Sequence, residues 1–189
     1  AAKLLLPSNL AVLPSFVAMS LAMRSQISAS RIAFWLLIGV VTELLALITL
    51  WSYRRERTNG RTGLRSLPLI RFSTATVGAA WGSSLFVPNS QSTELLLYFA
   101  VFAFGASAFA MLLTIARTDL YLAFEVPLFV TGAVALAFSH DGQLFSIGIL
   151  ALGYLVFATG IHRIANRGAM DAISLEWRTD ALMSILASE

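Results

Sequence analysis

Long apolar stretches alternate with short polar ones along this chain. An apolar run of about 20 residues is the length that an α-helix needs to cross the hydrocarbon core of a bilayer. These runs are too long for barrel strands and lack a two-residue alternation, so they predict helices. Six such runs can be counted in the 189 residues, at 4–23, 32–53, 67–87, 95–116, 120–138 and 144–164.

Composition supports a membrane protein and argues against an enzyme. Hydrophobic residues make up 58% of the chain and charged residues 12%, which is far from the mixture of a soluble domain. The chain has no cysteine, so it offers no disulfide, thiolate ligand or cysteine nucleophile. It also lacks a phosphate-binding loop, a paired His and Glu at metal spacing and a nucleophile elbow. We therefore expect no catalytic residue, no metal site and no cofactor within these residues.

The basic residues predict an orientation in the bacterial inner membrane. In the six-span map, only Arg24 and Arg31 fall on one side, and the other side holds eleven Lys and Arg residues. The positive-inside rule places this second side, with both termini, in the cytoplasm. Its arginine-rich loop fits a topology determinant or a contact with lipid head groups better than nucleic-acid binding. The eleven residues are Lys3, Arg54, Arg55, Arg57, Arg61, Arg65, Arg71, Arg117, Arg163, Arg167 and Arg178.

Small residues four apart predict close helix packing in the third and fourth spans. Gly78 and Gly82 form one such pair, and Ala103 and Ser107 form another. Pairs of this type let two helix backbones approach within a membrane. We favour packing within one subunit over a dimer face, because the motif is common in any helical bundle.

Two carboxylates fall inside the predicted spans. Glu43 lies near the middle of the second span and must face the bundle, because exposure to lipid would cost at least a few kcal/mol. It is either a responsive group or, as we favour, a neutral acid hydrogen-bonded to a Ser, Thr or Asn of the first or third span. Glu125 is shallower in the fifth span, and we expect it to pair with Arg117 or Arg71.

The two histidines do not predict a haem site. His140 falls in an outer loop and His162 at the inner end of the sixth span, about a membrane thickness apart. They cannot ligate the same iron. We expect His162 to be an interfacial polar residue.

The tail divides the chain into a transmembrane domain, 1–166, and a helical linker, 167–189. Leu175, Leu182 and Ile185 fall on a heptad seam, as in a coiled coil. This pattern favours a signalling helix that leaves the membrane, over an amphipathic tail that lies on the bilayer. The seam stops after barely two heptads, which is too short to be stable alone. A continuation beyond Glu189 is therefore expected.

Four stretches carry a resemblance to a known family: Ala79-Ala80-Trp81-Gly82 with Phe86-Val87-Pro88, the apolar fourth span, Phe124-Glu125-Val126-Pro127, and the tail segment 174–182. On these stretches, the chain from its second span to the end resembles the six-span N-terminal membrane modules of bacterial sensor histidine kinases and diguanylate cyclases. The resemblance implies a sensory module with a cytoplasmic output domain that follows Glu189.

The function expected from the sequence is therefore a sensory or regulatory module in the membrane. Its expected partners are the lipid bilayer and a second copy, joined through the C-terminal helix. The alternative is a non-enzymatic accessory subunit packed against a larger membrane complex. A small transporter that uses Glu43 is the least favoured hypothesis.

Overall fold

The computed structural model describes residues 14–21, 24–25, 27–60, 65–86, 93–138 and 142–186, and their side chains except those of 85, 93–100, 143, 180–181 and 184–186. All regular structure in these residues is helical, which confirms the all-α prediction. The helices are α1 (14–21), α2 (Ala29–Thr58), α3 (Leu67–Gly82), a 3₁₀ turn (Ser83–Phe86), α4 (Thr93–Leu113), α5 (Thr118–Ala137) and α6 (Gly142–Leu186).

Three helical segments are long and apolar enough to cross a membrane: Ala29–Thr58, Thr118–Ala137 and Leu144–Thr179. They indicate a membrane protein. The described part of α4 adds a shorter apolar stretch, Val101–Leu113. The 16 residues of α3 rise only about 24 Å at ~1.5 Å per residue, less than a hydrocarbon core of ~30 Å.

Contacts between side chains fix the relative directions of the helices. The Thr49 and Ser73 hydroxyls lie 2.9 Å apart, and Trp35 Nε1 donates to the Ala80 carbonyl at 3.0 Å, so α2 and α3 are antiparallel. Asp119, at the start of α5, binds Arg71 near the start of α3. The α3 and α5 helices therefore run in parallel.

The last three helices follow the same up-and-down arrangement. Tyr121 stacks on His162, and Gly148 lies against Ala133, so α5 and α6 are antiparallel. The end of α2, the start of α3, the end of α4 and the start of α5 thus lie together. We call this the Asp119 end of the bundle, and α6 leaves the bundle there.

The α5 helix is the centre of the bundle, because α3 and α6 both pack closely against it. On the α3 side, a Cβ at Gly78 would overlap the Phe124 carbonyl oxygen. A Cβ at Gly82 would overlap the Leu128 carbonyl oxygen and the Thr131 hydroxyl. Only glycine permits so close an approach of the two backbones.

An aromatic cluster closes the opposite end of the bundle. The Phe16 ring of α1 lies 4.5 Å from both the Trp35 and the Trp81 rings, measured between centroids. Phe102 of α4 stacks on Trp81 at 6.2 Å. The Phe16 ring also packs against Gly39, where an added Cβ would lie only 2.8 Å from the ring. This contact packs α1 against α2.

The α6 helix is unlike the others, because its 45 residues extend far beyond the bundle. Its length is about 67 Å at ~1.5 Å per residue. Beyond Met170 the described side chains are exposed, including Leu175 at 66% and Leu182 at 62%. The helical backbone reaches Ile185, whose side chain lies outside the described residues.

Candidate functional site

Glu125 lies at the buried centre of the bundle, on α5, and its exposed fraction is 0%. Neither carboxyl oxygen makes a hydrogen bond with a described residue. The predicted pairing with Arg117 or Arg71 is wrong, because both arginines bind Asp119 instead. The reason is position, since Asp119 lies at the helix end beside both guanidinium groups, whereas Glu125 lies more than one turn further into the bundle.

The Asp119 carboxylate joins three parts of the chain at its end of the bundle. One oxygen lies 2.7 Å from Arg71 Nη2 and 2.7 Å from Arg117 Nη2, and Arg117 Nε donates to the other oxygen at 2.8 Å. The hydrogen bond to Asp119 raises the pKa of the Arg117 guanidinium above its usual value. The site is partly exposed, so solvent screens the attraction.

Polar side chains from three helices surround Glu125. We name Ser107, Tyr121, Glu125, Tyr154 and His162 the polar cluster. The Ser107 hydroxyl lies 3.3 Å from the Tyr154 hydroxyl and close to the Tyr121 and Glu125 side chains. The Tyr121 hydroxyl, like the Glu125 carboxyl, has no hydrogen-bond partner of good geometry among the described residues. An ionised carboxylate in this setting would cost several kcal/mol, so burial favours the neutral acid form of Glu125.

His162 connects α6 to both neighbouring helices. Its ring stacks on Tyr121 with centroids 4.0 Å apart and planes at 5°. Its Nε2 lies 3.2 Å from the Thr114 carbonyl oxygen, which accepts only, so Nε2 carries the proton. One turn further along, Asn166 Nδ2 donates to the Ile115 carbonyl oxygen at 2.5 Å. His162 is fully buried within the bundle, and its expected depth at the membrane interface stays a prediction.

Glu43 is buried separately from the polar cluster, on the α2 face that also carries Trp35, Gly39 and Ala46. It is 1% exposed, as a position facing the bundle requires. Its expected hydrogen bond to a hydroxyl or amide of the first or third span is not formed by any described residue. Among the described residues, no second charged side chain pairs with Glu43, so the transporter hypothesis gains no support from its surroundings.

The small-residue pairs lie at two different interfaces. Gly78 and Gly82 face α5, as described above. Ala103 and Ser107 are buried on α4, and Ser107 contributes its hydroxyl to the polar cluster. In the described part of the chain, no three His, Asp or Glu side chains come close enough to hold a metal ion.

No protein-family model, curated protein or solved structure matches this chain. For His140, the geometry gives no information, since this residue lies outside the described residues.

A cavity of about 460 Å³ lies between α2, α3, α4 and α5. Its volume is within the ~300–1,000 Å³ of small-molecule sites. Apolar side chains form most of its wall, and hydroxyl groups from α1, α2, α3 and the turn after α4 interrupt it. The apolar residues include Val77, Trp81, Phe102, Phe109, Leu120 and Phe124, and the hydroxyls are those of Ser15, Thr49, Ser73, Thr74 and Thr114.

Tyr121 and Tyr154 of the polar cluster were not identified from the sequence. Tyr121 and Glu125 are four apart, and Tyr154 and His162 are eight apart, so each pair shares a helix face. This spacing was a usable signal for a polar cluster. The cavity has no comparable signal, because it depends on how α4 sits against α2 and α3.

Proposed function

We propose that this chain is a six-span protein of the bacterial inner membrane, with both termini in the cytoplasm, that relays a signal through α6. The eleven-to-two distribution of Lys and Arg supports the orientation. The observation that carries the proposal is the unbroken course of α6 from the polar cluster to Leu186.

The exposed part of α6 is suited to a protein partner. About 30 Å of its length suffices to cross the hydrocarbon core, which leaves over ~30 Å to project from the Asp119 end. Leu175 and Leu182 on this segment are exposed, and they fall on one face. Apolar side chains in water at such spacing favour a second copy of the helix, as in a coiled coil.

The polar cluster is where the bundle would act on this helix. Its contacts tie α6 to α4 and α5 by a few polar groups and a ring stack, in addition to the apolar packing of Leu144 against Leu136. Such contacts can exchange between two discrete arrangements, which is the requirement for a switch. A change in the bundle would then move α6 and reach the cytoplasmic output domain, of histidine kinase or diguanylate cyclase type.

Disulfide crosslinking tests this proposal directly, because the chain contains no cysteine of its own. We expect Leu175→Cys and Leu182→Cys to give crosslinked homodimers in membranes. Ile173→Cys, two residues and about 200° away from Leu175, is the matched control and should crosslink at least fivefold less. Equal crosslinking at 173 and 175 would refute the paired helix.

The accessory-subunit alternative predicts a different result from the same variants. Crosslinks at 175 and 182 would then go to another membrane protein that co-purifies in fixed ratio. The reading frame beyond Glu189 gives a second test. A signalling output domain there supports the relay, and a stop codon contradicts it.

A further inference from the structure

Three hydroxyl groups of the cavity present acceptors rather than donors. Thr74 Oγ1 donates to the Ile70 carbonyl at 2.7 Å, and Thr114 Oγ1 donates to the Ala110 carbonyl at 2.6 Å. Ser73 likewise donates to Ile70 at 3.0 Å. Because these protons are used within the helices, the oxygen lone pairs are what a ligand would meet.

The cavity wall also selects against charge. Its described lining residues include no Asp, Glu, Lys, Arg or His. A charged ligand would lose its hydration there without an opposite charge to replace it. An apolar body fits the aromatic walls, and a hydroxyl on that body could donate to Thr74 or Thr114.

The cavity opens along one edge of α4. Val101 and Phe109 line it while remaining 61% and 45% exposed. If α4 is a membrane helix, this edge faces the acyl chains, so an apolar molecule can enter from the bilayer without crossing water.

The α4 helix separates the cavity from the polar cluster. Phe102, Ala106 and Phe109 line the cavity, whereas Ser107 faces Tyr154 of α6. Thr114 takes part in both, because its side chain lines the cavity and its carbonyl oxygen contacts His162. A ligand that fills the cavity would therefore contact α4, and α4 in turn contacts α6.

We propose that this cavity binds a small, uncharged, apolar molecule with a hydroxyl donor, such as a medium-chain alcohol or a phenol, and that occupancy repositions α4 and α6. The binding site stands on the cavity alone. The regulatory part of the proposal rests on the proposed function. It supplies a stimulus for the signal relay, namely the binding of this molecule.

Photoaffinity labelling of the full chain in lipid vesicles tests the binding. The probes are a ten-carbon alcohol that carries a diazirine, the matched alkane and the matched carboxylate. We expect the alcohol to label α3 and α4 peptides that contain Val77, Phe102 or Phe109, at least fivefold more than either matched probe. Excess 1-decanol should suppress the labelling.

Two glycine variants locate the labelling. Gly105 lines the cavity, and a Cβ there meets nothing within 4 Å, so the Gly105→Leu side chain starts in open space. It should reduce labelling at least fivefold. Gly153→Leu is the matched control, because a Cβ at Gly153 also meets nothing within 4 Å but Gly153 is an exposed residue of α6 away from the cavity, and it should leave labelling unchanged. Thr74→Val should reduce the preference for the alcohol over the alkane.

Three results would overturn the binding proposal. Equal labelling in wild type and Gly105→Leu would mean contact at the lipid surface only. Equal labelling by the carboxylate would contradict the uncharged class. Labelling of the same peptides by a phospholipid with a diazirine in its acyl chain, blocked by Gly105→Leu and not displaced by 1-decanol, would identify a bilayer lipid as the occupant.

A separate readout tests the regulation. In Leu182→Cys, 1-decanol should change the yield of the disulfide dimer at least threefold, and Gly105→Leu should abolish that change. Binding without any such change would contradict the coupling and leave the binding site intact. Failure of the dimer itself to form would instead count against the proposed function.

Discussion

The α4 and α5 helices are neighbours of nearly equal length, 21 and 20 residues, yet they pack very differently. The α5 helix is buried between α3 and α6, and two glycines of α3 meet its backbone. The α4 helix borders a cavity on one side. On its other side, Ser107 and Phe104 contact Tyr154 of α6, and the Thr114 and Ile115 carbonyl oxygens just beyond the helix end contact His162 and Asn166.

The difference shows that apolar composition alone does not decide which helix is central. Both sequences are strongly apolar, and membrane helices gain little from hydrophobicity once they are in lipid. Close packing of backbones decides, and it depends on where the small residues face. Gly78 and Gly82 face a neighbouring backbone, whereas Gly105 faces open space.

Gly82→Leu should have the largest effect, because the new side chain would overlap the backbone and the Thr131 side chain of α5. We expect a loss of at least about 3 kcal/mol in the free energy of unfolding, at the upper end of overpacking costs. The measurement is the fraction of protein that stays folded after extraction and heating in detergent. Gly105→Leu is the control and should be tolerated, so equal losses in the two variants would refute the contrast between α4 and α5.

His162→Ala should come next, because it removes a buried ring that joins α6 to both helices. The loss of the Tyr121 stack and of the hydrogen bond to Thr114 should cost about 2–4 kcal/mol. Thermal unfolding of the purified protein in detergent measures it. Ile161→Ala, at the adjacent and half-exposed position, should cost at most about 1 kcal/mol. A smaller loss at 162 than at 161 would show that α6 does not depend on the polar cluster.

Asp119→Asn should have a moderate effect, since it removes the charge that holds Arg71 and Arg117 together. The pairs are partly exposed, so we expect a loss of about 1 kcal/mol that shrinks at high salt. Unfolding at low and high ionic strength measures it. Asp171→Asn, on the exposed part of α6, is the control and should change stability little. A loss at Asp119 that salt does not alter would argue against an electrostatic origin.

The sequence predicted the helical class well, because runs near 20 apolar residues have few other solutions in a membrane. The predicted positions of the helix ends were less accurate. The second helix extends to Thr58, beyond the predicted end at Tyr53, because nothing in its arginine-rich turn interrupts helical geometry. The six-span count, the orientation and the domain boundary at 166 stay predictions.

Partners of individual polar residues were the least predictable part of the site. Glu125 was expected to bind Arg117 or Arg71 because it was predicted to lie at a shallow position in the fifth span. Asp119 competes for the same two guanidinium groups from a better position. The polar cluster joins Ser107 to Tyr154, 47 positions away, and helix periodicity gives the face of each residue but not the neighbour it meets.

Trp177→Ser should have the smallest effect on the bundle, and it tests whether the exposed part of α6 is independent of the packed part. Trp177 is 75% exposed, and the described residues provide no ring contact for it, so the substitution removes no packing within the chain. We expect thermal unfolding of the monomeric protein in detergent to change by less than about 0.5 kcal/mol. His162→Ala, measured in parallel, shows that the assay detects a loss in the same helix. A marked destabilisation by Trp177→Ser would mean that the exposed segment of α6 packs against the bundle. The end of α6 would then stabilise the packed region rather than extend away from it.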